Sequence, residues 1–394
     1  MSFEYTSESF NEMYNYPVDT LSKIYIVIGW LMGINRLPVA FKVKGYYYIA
    51  SLIYSLILNN LTGYYVLNIG LNEIISLVRV ICLIQYFLSS FIAIKSGNVL
   101  KKFYNELFEF DKEINFQRPI TLTSRINFGL FVILISGIII NFVILVIIVE
   151  DGKHELIVLN IMDLSNVIES FFNAHLFSLF QIRLKFIRIL LVSSFPHENQ
   201  MQISSENENI NFNDINIFQL LTRYPEVEIR KLLLLYYKLI KAYDYLNTAI
   251  KWQLFSNILT SFMSVLNLLH FMLINFNKSN VENLQIVVPG ITLIIIRGVP
   301  FLMPCFIGSN ISKEVTLLRG ALFKRTHLNV FDVTSHSYAK LFLNLIQARS
   351  LTFSVFRMIE INRTLPFKFL GLLATYTLIL IQFEKVVNFE KKYR

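Results

Sequence analysis

Charge is scarce in this 394-residue chain. Asp, Glu, Lys and Arg make up 16% of it, where ordinary soluble domains carry about 25%. Cysteine is scarcer still: Cys82 and Cys305 are the only two, and both fall inside apolar runs. Neither a secreted disulfide framework nor a cysteine metal centre is implied. The opening residues, MSFEYTSESFNEMYNY, are polar and acidic and lack the basic stretch and apolar core of a cleavable signal peptide. No internal repeat is visible. There is no Gly-rich phosphate loop, no Gly-x-Ser-x-Gly turn and no His/Cys arrangement for catalysis, so an enzyme is not expected. His270 has no second His or Cys at ligand spacing, and neither a metal nor a cofactor is expected.

What the chain has in abundance is apolar surface. It is 54% hydrophobic, with a mean hydropathy of +0.52, 35 Phe and 20 Tyr. This is the composition of a protein dissolved mostly in lipid. The net charge of +9 does not point to nucleic acid, because apolar runs interrupt the basic residues throughout. In a membrane protein such an excess reads as cytoplasmic loop charge.

A bilayer-crossing helix needs about 20 mainly apolar residues. Seven windows qualify, near 46–68, 75–94, 126–149, 156–180, 252–275, 284–307 and 366–386. An eighth run, LSKIYIVIGWLMGIN at 21–35, is too short and reads as interfacial or packed on the bundle. The segments 1–45, 95–125, 183–251 and 308–368 hold 28 of the 36 Lys and Arg residues. The short connections 69–74, 150–155 and 276–283 hold two between them. Positive charge collects inside, so the N-terminus is expected in the cytoplasm and the C-terminus outside. The tail EKVVNFEKKYR (384–394) puts four basic residues on the outer side and stands against this assignment. The early loops outweigh it.

The inner connections are long. PEVEIRKLLLLYYKLIKAYDYLNTAIKW (225–252) and SHSYAKLFLNLIQARSLTFSVFRMIEIN (335–362) both read as helices with one apolar face. Between them, SSENENINFNDIN (204–216) reads as a flexible polar loop. The expected organisation is a cytoplasmic N-terminus (1–45), a six-helix bundle (46–307), a cytoplasmic helical region (308–365), a final spanning helix (366–386) and an outer tail.

The final span contains TYTLILIQF, Thr375 to Phe383. An amide facing hydrocarbon without a partner costs several kcal/mol, so Gln382 must face protein or water. Thr-Tyr, five largely hydrophobic residues, then Gln-Phe, in the last of seven helices, resembles the signature of the insect gustatory receptor family. Thr377 is the one departure in the hydrophobic stretch. The resemblance implies a tetrameric ligand-gated cation channel in the plasma membrane of gustatory receptor neurons. Its final helices would line a central pore, its cytoplasmic extensions would hold the subunits together, and a small tastant would bind in the outer half of each bundle. The partners implied are the tastant, membrane lipid, permeating cations and further subunits, as a homotetramer or a heterotetramer with other gustatory receptors. Nucleic acid is not among them.

On a helix Thr375, Leu378 and Gln382 share one stripe, with Tyr376, Ile379, Leu380 and Phe383 beside it. At 1.5 Å per residue Gln382 lies about 24 Å from position 366, near the outer surface. Four copies would present a ring of amides beside a ring of aromatics, and Glu384 would place negative charge at the outer mouth. The simpler alternative has Gln382 bonded to a neighbouring helix and Glu384 paired with Lys385.

Polar groups within spans mark the candidate ligand site. Span four carries Asp163, Asn166, Ser170 and Asn173 on one stripe. Arg79 is a candidate partner for Asp163. Tyr64 and Tyr65 top span one, Asn141 lies in span three, Asn267 and His270 near the top of span five, and Gln285 opens span six. A vestibule of this kind suits a small polar or amphiphilic molecule. A purely structural network is the alternative. The mix of groups fits a sugar as well as a bitter plant compound, and the bitter compound is favoured because receptors of that type are numerous and divergent. An odorant receptor channel shares the topology but not the signature. A G-protein-coupled receptor would need the opposite orientation, and a secondary transporter would need a repeat.

Overall fold

The Asp19 carboxylate accepts the Ser22 backbone N–H at 3.1 Å and the Ser22 hydroxyl at 2.6 Å. That cap starts the first helix, α1, Thr20–Leu31. The helix stops at Gly33, whose φ of 84° is left-handed, and the Ile34 N–H reaches back to the Gly29 carbonyl at 2.9 Å. This is the glycine-terminated reversal expected of a helix end. A Cβ at Gly33 would stand 2.5 Å from the Tyr86 hydroxyl, so dihedral and space both require glycine.

The computed structural model describes residues 18–41, 45–68, 74–114, 128–140, 153–193, 228–276, 283–327, 333–356 and 358–393. After α1 come α2 (Leu37–Ala40), α3 (Gly45–Asn68) and α4 (Ile74–Glu113). Then follow α5 (Phe128–Ile140), α6 (Lys153–Ser193), α7 (Ile229–Phe276) and α8 (Asn283–His327). The chain ends with α9 (Val333–Ala348), a two-stranded antiparallel hairpin of β1 (Ser354–Val355) and β2 (Ile359–Glu360), and α10 (Thr364–Tyr393).

The seven apolar windows of the sequence fall on α3, α4, α5, α6, α7, α8 and α10. Four of these helices run well beyond their windows. At 1.5 Å per residue the 48 residues of α7 extend about 72 Å, more than twice the ~30 Å of hydrocarbon in a bilayer. The amphipathic stretch expected at 225–252 and the fifth apolar window are thus one unbroken helix. The polar loop expected at 204–216 lies outside the described residues.

The longest pairings set α4 along α7 and α6 along α8, with α7 also touching α6. The core concentrates at one end of the bundle. It takes Leu100, Phe103, Leu107 and Phe110 from α4, Phe177, Phe180, Leu184 and Ile187 from α6, and Leu232, Leu235, Tyr236 and Leu239 from α7. Recurrence at three- and four-residue intervals puts each set on a single helix face. Two ion pairs are sealed into the same end. Arg183 donates through Nε and Nη2 to the Asp111 carboxylate at 2.9 and 2.6 Å, and Arg188 donates to Glu314 at 2.7 Å. Arg325 of α8 donates to the terminal carbonyls of Leu191 and Val192 on α6, satisfying acceptors that the helix itself cannot. Burial lowers the pKa of its guanidinium to about 10.

The other end of the bundle shows large exposed side chains. On α3 these are Tyr46, Ile49, Ile53, Leu56, Ile57, Leu61 and Tyr64, a continuous apolar face suited to lipid. The run at 21–35 packs inward as α1, burying Tyr25 and Ile26. At the head of α1, burial works against the Asp19 charge, but the hydrogen bond and charge of His175 at 3.0 Å and the bonds from Ser22 outweigh it. Together they hold that carboxyl well below the usual range.

One element corrects the sequence reading. The helix expected over 335–362 ends at Ala348. Beyond it Leu351, Phe353 and Val355 are buried while Thr352 and Ser354 are less so, a two-residue period that belongs to a strand. Phe353 packs 4.1 Å from Phe177 and 4.8 Å from Tyr243, and the Tyr243 hydroxyl donates to the Thr352 carbonyl at 2.7 Å. Tertiary packing of one aromatic ring therefore overrides the apolar helical pattern.

Candidate functional site

Two features have geometry beyond structural filling: the outward face of α10 and a chain of buried amides among α4, α6 and α7.

Asn362 caps α10. Its Oδ1 accepts the backbone N–H groups of Thr364 and Leu365 at 3.1 and 3.2 Å, and Pro366 occupies the first turn, where no helical acceptor is required. Over Thr364–Phe383 only 17% of the apolar window is buried, against 39% for the corresponding part of α4. α10 touches mainly α7 and α8. Phe369 meets Phe262 and Phe301 at 5.3 and 5.0 Å, and Leu373 is buried at 4%. The remaining directions are open. Thr375, Tyr376, Ile379, Gln382 and Phe383 are all exposed within the protomer. The Thr375 hydroxyl donates back to the Gly371 carbonyl at 3.0 Å, and the Tyr376 ring lies edge-on to Phe262 at 5.9 Å. Glu384 continues the helix; its side chain is outside the described residues. Among the described residues no other helix of the protomer bonds Gln382; the pairing of Glu384 with Lys385 falls outside them.

The second feature begins at Asn166 and Ser170, two members of the polar stripe read in span four. Asn166 accepts from Gln85 Nε2 at 2.7 Å, and the same nitrogen donates to Asn257 Oδ1 at 2.9 Å. Asn257 Nδ2 donates to the Ser170 hydroxyl at 3.1 Å. Gln253 Nε2 extends the chain to Ser89 at 2.8 Å and Asn257 at 3.2 Å. Amides suit this position because each carries both donors and an acceptor, so one side chain can bridge two helices. Asn173, next on the stripe, is fully buried with neither amide atom bonded. A cleft bounded by Ser170, Asn257, Phe301, Cys305 and Ile361 adjoins the network; it has room for about one water molecule.

Of the other predicted ligand-site residues, Asp163 and Asn267 are described. Asp163 is half-buried on α6. Asn267 bonds within its own helix, to the Met263 carbonyl at 2.8 Å. Tyr65, Arg79, His270 and Gln285 lie on α3, α4, α7 and α8, but their side chains, and all of Asn141, fall outside the described residues. The pairing of Arg79 with Asp163 falls outside them too.

Sequence reasoning missed Gln85, Ser89, Gln253 and Asn257. The signal was available: each pair stands four residues apart on one face of an apolar helix, the same criterion that singled out span four. It also missed the buried pair of Arg36 and Glu169, in which Arg36 lies 4.9 Å over the Phe172 ring.

A family model described as 7tm chemosensory receptor matches residues 23–387. No curated protein matches the chain by sequence. Among solved structures, the insect olfactory receptor OR5 from Machilis hrabei, in complex with eugenol, superposes with a TM-score of 0.57 at 11% identity. The alignment covers 92% of this chain and 97% of the olfactory receptor chain. At that identity the likeness concerns the fold.

Proposed function

We propose that this chain, which belongs to the 7tm chemosensory receptor family and is a seven-helix membrane protein, is one subunit of a tetrameric ligand-gated cation channel. The observation that carries the reading is the one-sided burial of α10. A spanning helix that leaves the Gln382 amide open within its own protomer must satisfy it elsewhere, and lipid cannot do so. A shared aqueous axis between copies can. Gln382 and Thr375 then line the path, Tyr376, Ile379 and Phe383 form its apolar constriction, and Glu384 draws cations to the outer mouth.

The ligand is a tastant, held toward the outer side of the bundle by Tyr65, Arg79, Asn141, Asp163, Asn166, Ser170, Asn267, His270 and Gln285. A bitter plant compound is favoured over a sugar. Thr375-Tyr376 and Gln382-Phe383 support taste over smell. The olfactory receptor with the similar fold was solved with eugenol, and an aromatic odorant is the second reading. The site of action is the plasma membrane of gustatory receptor neurons, with the N-terminus inside.

The test is expression of the full chain, alone and with a second receptor subunit, while calcium entry is recorded against sugars, plant alkaloids and eugenol. A response to an alkaloid supports the reading, and a response to eugenol alone moves it to smell. Surface labelling of a residue-1 tag in intact cells would reverse the orientation and remove the channel.

A further inference from the structure

Lys368 is the only charged side chain between Thr364 and Phe383, and it is exposed. At 100° per residue, a consequence of 3.6 residues per turn, its direction falls within about 40° of those of Thr375 and Gln382. The opposite side of the same turns holds Phe369 and Leu373, the residues packed on α7 and α8. Lys368 therefore points away from its own protomer, along the face carrying the two polar residues of the signature.

The neighbouring charges are occupied. Arg363 donates to Asn310 Oδ1 on α8 at 2.7 Å, and Glu360 accepts from Asn362 at 3.2 Å. Among the described residues no carboxylate pairs with Lys368. A cation with no carboxylate partner among the described residues, one turn into a span that is otherwise uncharged up to Phe383, faces either lipid headgroups or an aqueous path.

We propose that Lys368 sets the rectification and divalent selectivity of the channel, an inference that rests on the reading of α10 as the pore helix. Four Lys368 ammonium groups form a positive ring at the cytoplasmic mouth, about 21 Å along the axis from the Gln382 amides. A basic ring depletes cations beside it, and divalent ions more steeply than monovalent ones, because the repulsion scales with ionic charge. Outward current draws its carriers from that mouth and inward current does not. The conductance is therefore larger inward than outward, and calcium crosses less freely than it would past an uncharged mouth.

The test uses patches from cells expressing the full chain, in symmetrical potassium, opened by the first active compound of the sugar and alkaloid panel. Replacement by Lys368→Gln lowers the inward-to-outward conductance ratio roughly two- to fivefold toward unity. Replacement by Lys368→Glu inverts it and raises relative calcium permeability, while Lys368→Arg keeps the wild-type curve. Chemical modification within a single patch controls for folding. In Lys368→Cys channels a cytoplasmic ammonium-bearing thiol reagent restores inward rectification, and a sulfonate-bearing one reverses it. Both native cysteines are buried, so background reaction is small. Unchanged rectification at position 368, alongside altered permeation in Gln382→Ala, overturns the inference and leaves the pore in place, with Lys368 reaching to headgroups. Unchanged permeation at both positions overturns the pore reading itself.

Discussion

A Cβ on Gly308 would stand 2.6 Å from the carbonyl oxygen of Ile361. The segment that delivers the chain into α10 thus lies directly on the backbone of α8. The same segment is clipped to α6 and α7 through Phe353, and its Ile361 N–H donates to the Phe353 carbonyl at 2.8 Å. If the channel gates by movement among α6, α7 and α8, this contact is where that movement would meet the last helix.

Gly308→Ala forces Ile361 outward. Overpacking of this kind costs about 1–3 kcal/mol, and part of it acts on whichever gating state packs the contact more tightly. The half-activating agonist concentration is expected to move by about threefold or more, since 1.4 kcal/mol is a factor of about ten. A dose–response curve superimposable on wild type would separate the contact from gating.

Asn257 bonds to Gln85, Gln253 and Ser170, three helices in one side chain counting its own. Asn257→Leu keeps the volume and removes one hydrogen bond from each of them, while Gln85 keeps Asn166 and Gln253 keeps Ser89, at a cost of about 1–3 kcal/mol. The thermal midpoint of the purified protein should fall by several degrees, more than for Asn166→Ala, which removes one acceptor at the edge of the chain. Equal midpoints for the two would mean that the network contributes little.

Asp111 and Arg183 form a buried pair. Removing one partner strands a charge and costs about 3–5 kcal/mol, whereas replacing both with apolar residues is often neutral. Asp111→Ala is expected to abolish surface expression, and Asp111→Leu combined with Arg183→Met to restore it. Failure of the double replacement to recover would assign the pair a role beyond burial.

Asp163→Asn removes a charge from the polar stripe of α6 with little change of shape. Under the proposed pocket it raises the half-activating concentration roughly tenfold, about 1.4 kcal/mol of lost charge-assisted contact. The reversal potential stays fixed. A shifted reversal potential with unchanged sensitivity would move Asp163 from the pocket to the conduction path.

Much of this architecture was legible in the sequence. Apolar length located the helices, and the expense of Gln382 in hydrocarbon singled out the face of α10 that the protomer leaves open. The stripe of Asn166, Ser170 and Asn173 turned inward, as its polarity required. What could not be read was pairing between distant segments. Nothing near Asn166 in sequence names Gln85, and nothing near Ser170 names Asn257, because helix register is set by packing of whole faces. The hairpin at 354–360 was hidden because Leu351, Phe353 and Val355 follow a helical apolar run without a break in composition. Only the fit of Phe353 against Phe177 and Tyr243 decides for a strand.

Cysteine substitution along α10 tests the central claim most directly. Thr375, Leu378 and Gln382 are replaced one at a time, with Leu373 as the buried control, and agonist-evoked current is followed while a membrane-impermeant thiol reagent is applied from outside. The account predicts rapid loss of current for Gln382→Cys, slower loss for Leu378→Cys and Thr375→Cys, and none for Leu373→Cys. Full protection of Gln382→Cys in the open channel, or loss confined to Leu373→Cys, would contradict it.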